Sequence, residues 1–166
     1  MYELHQNEQY FFDDATIRCL ADWIEQSKFQ LPCCLCCPML GRELARRKIE
    51  ARVLDMDERF ADVAGFQPYD LFRPTWMGER YGIIVCDPPF FKVSLAQLFK
   101  AIHVLSQHDF AQPLMIFYLS RRAPNVTGTF ANFNLRATNW QPTYQTVQRV
   151  ERNQIEAFSN MEVKGF

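Results

Sequence analysis

The sequence predicts an α/β fold: a mainly parallel sheet with helices on both faces, ending in an antiparallel pair of strands. Three observations predict it. Short continuous apolar runs at residues 33–37, 81–86 and 114–119 read as strands buried on both faces. Segments of helical periodicity alternate with these runs, as strand–helix–strand units require. Two further extended segments, residues 135–150 with an interruption at Pro142 and residues 155–159, are joined by a short link through Asn153 that favours antiparallel pairing.

Taken in order, Asp13 or Asp14 caps a helix in which Ile17, Leu20, Ala21 and Ile24 share one face, and polar residues 26–28 end it. The run at 33–37 lies between Pro32 and Pro38, and residues 40–48 form a helix with a basic end. Residues 51–54 lead into the acidic Asp55-Met56-Asp57, and residues 69–72 offer another short extended segment before a loop with Pro74 and Gly78. The strand at 81–86 stops at Pro88 and Pro89, which have no amide hydrogen to continue a ladder. Ser94 caps a helix whose inner face carries Leu95, Leu98, Phe99, Ile102 and Leu105. After residues 114–119, a polar loop through Asn125 and Gly128 precedes a short helix at 129–133.

A chain of 166 residues fits a single domain spanning residues 1–166. Apolar residues at 48% and charged residues at 22% match ordinary globular composition and exclude a disordered chain. The net charge of -1 excludes a global positive field, so a nucleic-acid partner has to be held by a local patch. No basic leader precedes a long apolar run and no stretch reaches membrane-spanning length, which predicts a soluble, cytoplasmic protein with no membrane partner. Four of the six cysteines stand in Cys33-Cys34-Leu35-Cys36-Cys37. Adjacent positions on a strand point to opposite faces, and no second pair of ligands follows at zinc spacing, so these thiols read as buried and reduced, with no metal expected.

The most specific feature is Asp87-Pro88-Pro89-Phe90, set directly after a buried strand, where open α/β sheets bind ligands. Two prolines stiffen the backbone so that the Asp87 carboxylate and the Pro88 carbonyl can act together as acceptors on one small donor. That arrangement suits an amine whose lone pair is conjugated into a ring, such as the exocyclic N6 of adenine. Holding its two hydrogens frees the lone pair for in-line attack on a sulfonium methyl group. Phe90 supplies a flat face for stacking, and a target within a duplex has to be flipped out. Phe91 beside it, and Arg121 and Arg122 after the next strand, are candidates for substrate binding. Arg42, Arg46 and Arg47 form a second basic cluster.

The methyl donor needs an acceptor for its ribose hydroxyls, and Asp55 and Asp57 at the end of the second strand are the candidates. The loop Cys36-Cys37-Pro38-Met39-Leu40-Gly41 has one glycine and no G-x-G-x-x-G, which argues against a dinucleotide site. S-adenosylmethionine carries no phosphate, and backbone groups around Cys37 and Pro38 can meet its methionine moiety. Gln9-Tyr10-Phe11-Phe12 has two readings: an aromatic lid in which Phe11 and Phe12 cover the cofactor or substrate, or a hydrophobic staple on the first helix.

Together these segments, with the Pro38-x-Leu40 turn, Leu54-Asp55-Met56-Asp57-Glu58-Arg59-Phe60 and Phe158-Ser159-Asn160, resemble the probable N6-adenine methyltransferase family. That family includes a zinc-knuckle ribosomal-RNA adenine methyltransferase and the lysine methyltransferase of elongation factor 1A. The resemblance implies a Rossmann-like class I methyltransferase fold, S-adenosylmethionine as cofactor, residues 87–90 as the catalytic tetrad, and Asp57 as the cofactor contact. No zinc-knuckle array occurs, so recognition by such modules is not carried over. The expectation is an N-methyltransferase acting on adenine N6 in RNA or DNA. The alternatives are a protein lysine methyltransferase and a methyltransferase-like binding module without catalysis.

Overall fold

The computed structural model describes residues 1–147 and 154–163. Its strands are β1 (Cys33–Leu35), β2 (Arg52–Asp55), β3 (Phe66–Pro68), β4 (Ile84–Cys86), β5 (Leu114–Leu119), β6 (Arg136–Ala137) and β7 (Ile155–Ser159). They form one seven-stranded sheet in the order β3-β2-β1-β4-β5-β7-β6. The strands from β3 to β5 pair in parallel, whereas β7 runs antiparallel to both β5 and β6. The expected antiparallel pair is therefore present, with β7 inserted between β5 and β6. Strand order reverses between β1 and β4, which opens a crevice at their carboxyl ends.

Period-two alternation explains the continuous apolar runs. Cys33, Leu35, Ile84, Cys86, Leu114, Ile116 and Tyr118 join one core layer with Leu98, Ile102 and Val126. Cys34, Val85, Met115 and Phe117 join the opposite layer with Ile17, Leu20, Leu40 and Leu44. A strand buried on both faces has no polar side to display, so its sequence cannot alternate. Each large side chain so buried stabilises the fold by about 1.5–3 kcal/mol relative to exposure.

Helices α1 (Asp14–Gln26) and α2 (Pro38–Arg46) cover the second layer, and α3 (Leu95–Leu105) and α4 (Ala123–Thr129) cover the first. The Asp13 carboxylate caps α1 by accepting from the Thr16 amide at 2.9 Å, and the Ser94 hydroxyl caps α3 by accepting from the Gln97 amide at 3.1 Å. Besides Ile17, Leu20, Ala21 and Ile24, α1 buries Thr16 and Trp23. Helix α2 begins at Pro38, whose fixed φ suits a first turn.

Several expectations need correction. The strand placed at residues 69–72 lies instead at 66–68. Tyr69 and Leu71 are apolar because they anchor the following loop in the core. The strand placed at 81–86 pairs over Ile84–Cys86; before it, the Gly82 amide donates to the Gln30 carbonyl at 2.7 Å instead of to the sheet. Asn125 and Gly128 belong to α4, whose first turn holds Pro124, and not to a loop. A 3-10 turn at Ala131–Phe133 follows it. The extended segment expected at 135–150 pairs with β7 over Arg136–Ala137, and farther on Tyr144 forms a bridge to Phe12. Residues 148–150 of that segment, and Asn153, lie outside the described residues. Among the described residues no helix is long and apolar enough to cross a membrane.

Helix α2 sits on β2 through Gly41, where a Cβ would lie 2.2 Å from Val53 Cγ2. Gly41→Ala is therefore expected to destabilise the protein by about 1–3 kcal/mol through overpacking, although alanine favours helix interiors by about 1 kcal/mol over glycine. Urea unfolding tests this, and unchanged or increased stability would show that α2 rests on β2 less closely than the structure indicates.

Candidate active site

Parallel strands end at one edge of the sheet, so the segments after β1, β2, β4 and β5 meet there. The Asp87 amide donates to the Leu35 carbonyl at 3.2 Å, and the Cys36 amide to the Leu54 carbonyl at 3.0 Å. These bonds bring Asp87 beside the 36–38 loop and that loop beside Asp55. Cys36 adopts φ 60°, a left-handed conformation that glycine supplies in many ligand loops. Cys37 follows at the N-cap of α2 without capping through its side chain; its thiol donates instead to the Val85 carbonyl at 3.3 Å. The first-turn amides of α2 thus have no side-chain cap.

Asp87 is partly buried at the end of β4 and accepts a hydrogen bond from the Tyr144 hydroxyl at 2.9 Å. Burial pushes its carboxyl up to about 8, opposed by that hydrogen bond, which favours the ionised form. Pro88 is buried, and its carbonyl takes no hydrogen bond among the described residues. The Pro89 carbonyl is occupied by the amides of Lys92 and Val93 at 3.2 and 3.1 Å. Phe90 is half-buried, edge-on to Tyr118 at 5.1 Å between ring centroids, whereas Phe91 is 79% exposed. The Phe91 amide donates to the Glu8 carboxylate at 3.1 Å, and Lys92 Nζ to the Gln6 carbonyl at 2.6 Å. The N-terminal segment is thereby laid against the tetrad loop.

In the acidic segment the two aspartates differ sharply. Asp57 is saturated: it accepts from Arg59 Nε at 2.9 Å, Arg59 Nη2 at 2.7 Å, the Arg59 amide at 3.1 Å and Gln9 Nε2 at 2.7 Å. Its hydrogen bonds to Arg59 hold its carboxyl below the usual range. Asp55 ends β2 and accepts from the Asp57 amide at 2.8 Å. Burial raises its carboxyl to about 6, opposed by its hydrogen bonds from the Asp57 and Met56 amides.

Phe11 and Phe12 are core residues in the structure. Phe11 packs edge-on to Phe60 at 5.9 Å, and Phe12 packs against Phe117 at 4.9 Å and Tyr144 at 5.2 Å. Burying two such rings is more favourable than displaying them to water. Arg121 and Arg122 form a 3-10 turn with Ser120 directly after β5, on the same edge as Asp87. The cluster of Arg42, Arg46 and Arg47 does not join them. Helix α2 leads away from this edge, Arg46 pairs with Glu43 at 2.7 Å, Arg47 pairs with Asp22 at 2.7 Å, and Arg42 lies over the Phe60 ring at 4.9 Å. Gln9, part of the segment read as a lid or staple, reaches the site, and so do Tyr144 and Glu8, to which sequence reasoning assigned no role. Tyr144 carries no local motif, and its position follows from a bridge to a residue far away in the chain.

Solved structures share the fold. A magnesium protoporphyrin IX methyltransferase from Synechocystis PCC 6803, with bound S-adenosylmethionine, is 12% identical with a TM-score of 0.62, over 89% of this chain and 79% of that one. An N-methyltransferase, NodS, from Bradyrhizobium japonicum WM9 is 15% identical with a TM-score of 0.56, over 90% and 96%. A TehB-like S-adenosylmethionine-dependent methyltransferase from Corynebacterium glutamicum is 13% identical with a TM-score of 0.58, over 87% and 88%. No curated protein matches the sequence. The pattern of the probable N6-adenine methyltransferase family matches residues 3–163, from the N-terminal segment through β7, and the chain belongs to that family.

Proposed function

We propose that this S-adenosylmethionine-dependent methyltransferase acts on the exocyclic N6 of adenine in RNA or DNA. The observation that carries the reading is the pair of adjacent acceptors at the end of β4, the Asp87 carboxylate and the Pro88 carbonyl, which takes no hydrogen bond among the described residues, beside the half-buried Phe90 ring. The family pattern supports adenine N6 as the acceptor. Arg121 and Arg122 at the neighbouring strand end, and the exposed Phe91, support a nucleic-acid strand at this edge.

S-adenosylmethionine supplies an electrophilic sulfonium methyl group. Asp55 is the acceptor for its ribose hydroxyls, because the oxygens of Asp57 are already taken by Arg59 and Gln9. The uncapped first turn of α2 at Cys37 and Pro38 suits its carboxylate, since helix N-termini favour anions. Asp87 and the Pro88 carbonyl accept the two amine hydrogens, and the nitrogen lone pair forms the new bond to carbon as the carbon–sulfur bond breaks toward sulfur. Positive charge then develops on nitrogen, and an ionised Asp87 stabilises it most at that moment. Phe90 stacks on the base.

Assays of methyl transfer to RNA, DNA and protein fractions test the substrate, and transfer confined to protein lysine would overturn the nucleic-acid reading. Asp87→Ala is expected to bind S-adenosylmethionine nearly normally while turnover falls roughly 10²–10³-fold, by analogy with loss of one preorganised electrostatic contact. Transfer by this variant at the unmutated rate would end the assignment of Asp87.

In calorimetry, Asp55→Ala should lose about 1.5–3 kcal/mol of donor binding, the range for a hydrogen bond to a charged group. A loss confined to Asp57→Ala would return the role to Asp57.

The pH dependence has a definite sign. Ionised Asp87 is the active acceptor, so turnover should rise with pH through about 8. Stability moves the other way. The folded state keeps a proton that the unfolded carboxyl releases near pH 4, so this group lowers stability between about 4 and about 8. Thermal unfolding should show Asp87→Asn gaining on the parent as pH rises from 5 to about 8; a constant difference would contradict the raised carboxyl.

A further inference from the structure

We propose that Tyr144 is a positioning residue for methyl transfer: its hydroxyl fixes one oxygen of Asp87 so that the other is presented to the acceptor amine. This rests on the reading of Asp87 as the amine acceptor. The hydroxyl donates to Asp87 Oδ1 at 2.9 Å, which gives that oxygen a partner within the protein. Its own position is set from the core outward. Tyr144 bridges to Phe12, the Gln145 amide donates to the Phe11 carbonyl at 2.9 Å, and the Asp13 amide donates to the Thr143 carbonyl at 3.0 Å. The Thr143 amide is held by the Thr16 hydroxyl at 2.8 Å, and the Tyr144 ring lies 5.2 Å from Phe12, which packs on Phe117 of β5. The hydroxyl is therefore attached to the same sheet that carries Asp87, by a separate part of the chain.

A carboxylate held at one oxygen loses rotational freedom about its last torsion, and the near-attack geometry of the amine depends on that torsion. The phenol also favours the ionised form of a carboxylate that burial drives toward protonation. Among the described residues, the titratable groups facing Asp87 are Tyr144 on the C-terminal segment, Cys37 at the start of α2 and Cys86 on β4. Burial raises both thiols well above their ordinary range, so they stay neutral and do not compensate for the phenol. Burial and the adjacent carboxylate raise the phenol likewise, so Tyr144 remains the donor and keeps its proton throughout the reaction. As carbon–nitrogen bond formation expels the sulfur with its electron pair, the amine proton passes to the free oxygen of Asp87 or to water.

The test is Tyr144→Phe, which keeps the ring on Phe12 and removes the hydroxyl. With S-adenosylmethionine and a methyl-accepting substrate identified as above, kcat at pH 7.5 should fall about ten- to a hundredfold, the range for one hydrogen bond to a charged group. The rising limb of the pH–rate profile should move to higher pH, while donor affinity stays within about twofold of the parent's. Tyr144→Phe should add little further loss in the Asp87→Ala background, since its effect passes through that carboxylate. A merely structural role would leave the pH limb in place and lower both backgrounds equally, and either result overturns the proposal. Faster turnover by Tyr144→Phe would also overturn it, by showing that the hydroxyl obstructs the amine. Full activity of Asp87→Ala would instead sink the reading of Asp87 itself, whereas an inactive Asp87→Ala beside a normal Tyr144→Phe would sink the role of Tyr144 alone.

Discussion

The parallel pairing of β1 with β4, which sets Leu35 beside Cys86, is the constraint on which the rest depends. It joins the two strands between which the sheet reverses direction of growth, and both are buried on both faces. Because strands in such a sheet point one way, the 36–38 loop and residues 87–90 emerge side by side. The Asp87 amide then completes the ladder by donating to the Leu35 carbonyl, after which Pro88 and Pro89 have no amide hydrogens to continue it. Backbone pairing and its forced termination thus leave the Pro88 carbonyl without a ladder partner among the described residues.

The same burial that stabilises the sheet puts Asp87 in a costly position. A partly buried carboxyl raised to about 8 is a local loss of stability, and the structure relieves it with a single phenol. Asp55 shows a milder form of the same imbalance, raised to about 6 at the end of β2. Asp57, by contrast, is satisfied by Arg59 and Gln9 and contributes to the fold of its own loop. A carboxyl raised by burial at the end of a sheet strand is a candidate site for a substrate or cofactor, and Asp55 and Asp87 share that mark.

Separate parts of the chain converge on this edge. The N-terminal segment reaches the tetrad loop through Glu8 and Lys92 and the acidic segment through Gln9. Glu3 accepts from the Phe11 amide at 2.9 Å and from the Thr146 hydroxyl at 2.5 Å, which ties the N-terminal and C-terminal segments together. Phe11 and Phe12 anchor this arrangement because their rings lie in the core, so their value is in holding the segment that carries Gln9 and in setting Tyr144.

By itself the sequence determined the architecture and singled out a candidate chemical centre. Leu114–Leu119 was legible as a strand because burial on both faces leaves an unbroken apolar run, Ile155–Ser159 as an extended segment joined to its predecessor by a short link, and Asp13 and Ser94 as caps because orphan helix amides select such side chains. The Asp87-Pro88-Pro89-Phe90 motif was legible because its chemistry resides in consecutive residues. The short β3 and α4 were displaced in the sequence reading, since Tyr69 and Leu71 give apolar signals and Asn125 and Gly128 loop signals that tertiary packing reassigns. Only the tertiary structure decided that Phe11 and Phe12 are core, that Arg46 and Arg47 are spent on Glu43 and Asp22, and that Tyr144 meets Asp87. The physical reason is one of range. A cap, a strand or a tetrad is set by neighbours along the chain, whereas the partner of a buried carboxylate is whichever distant group the completed core brings within hydrogen-bonding distance.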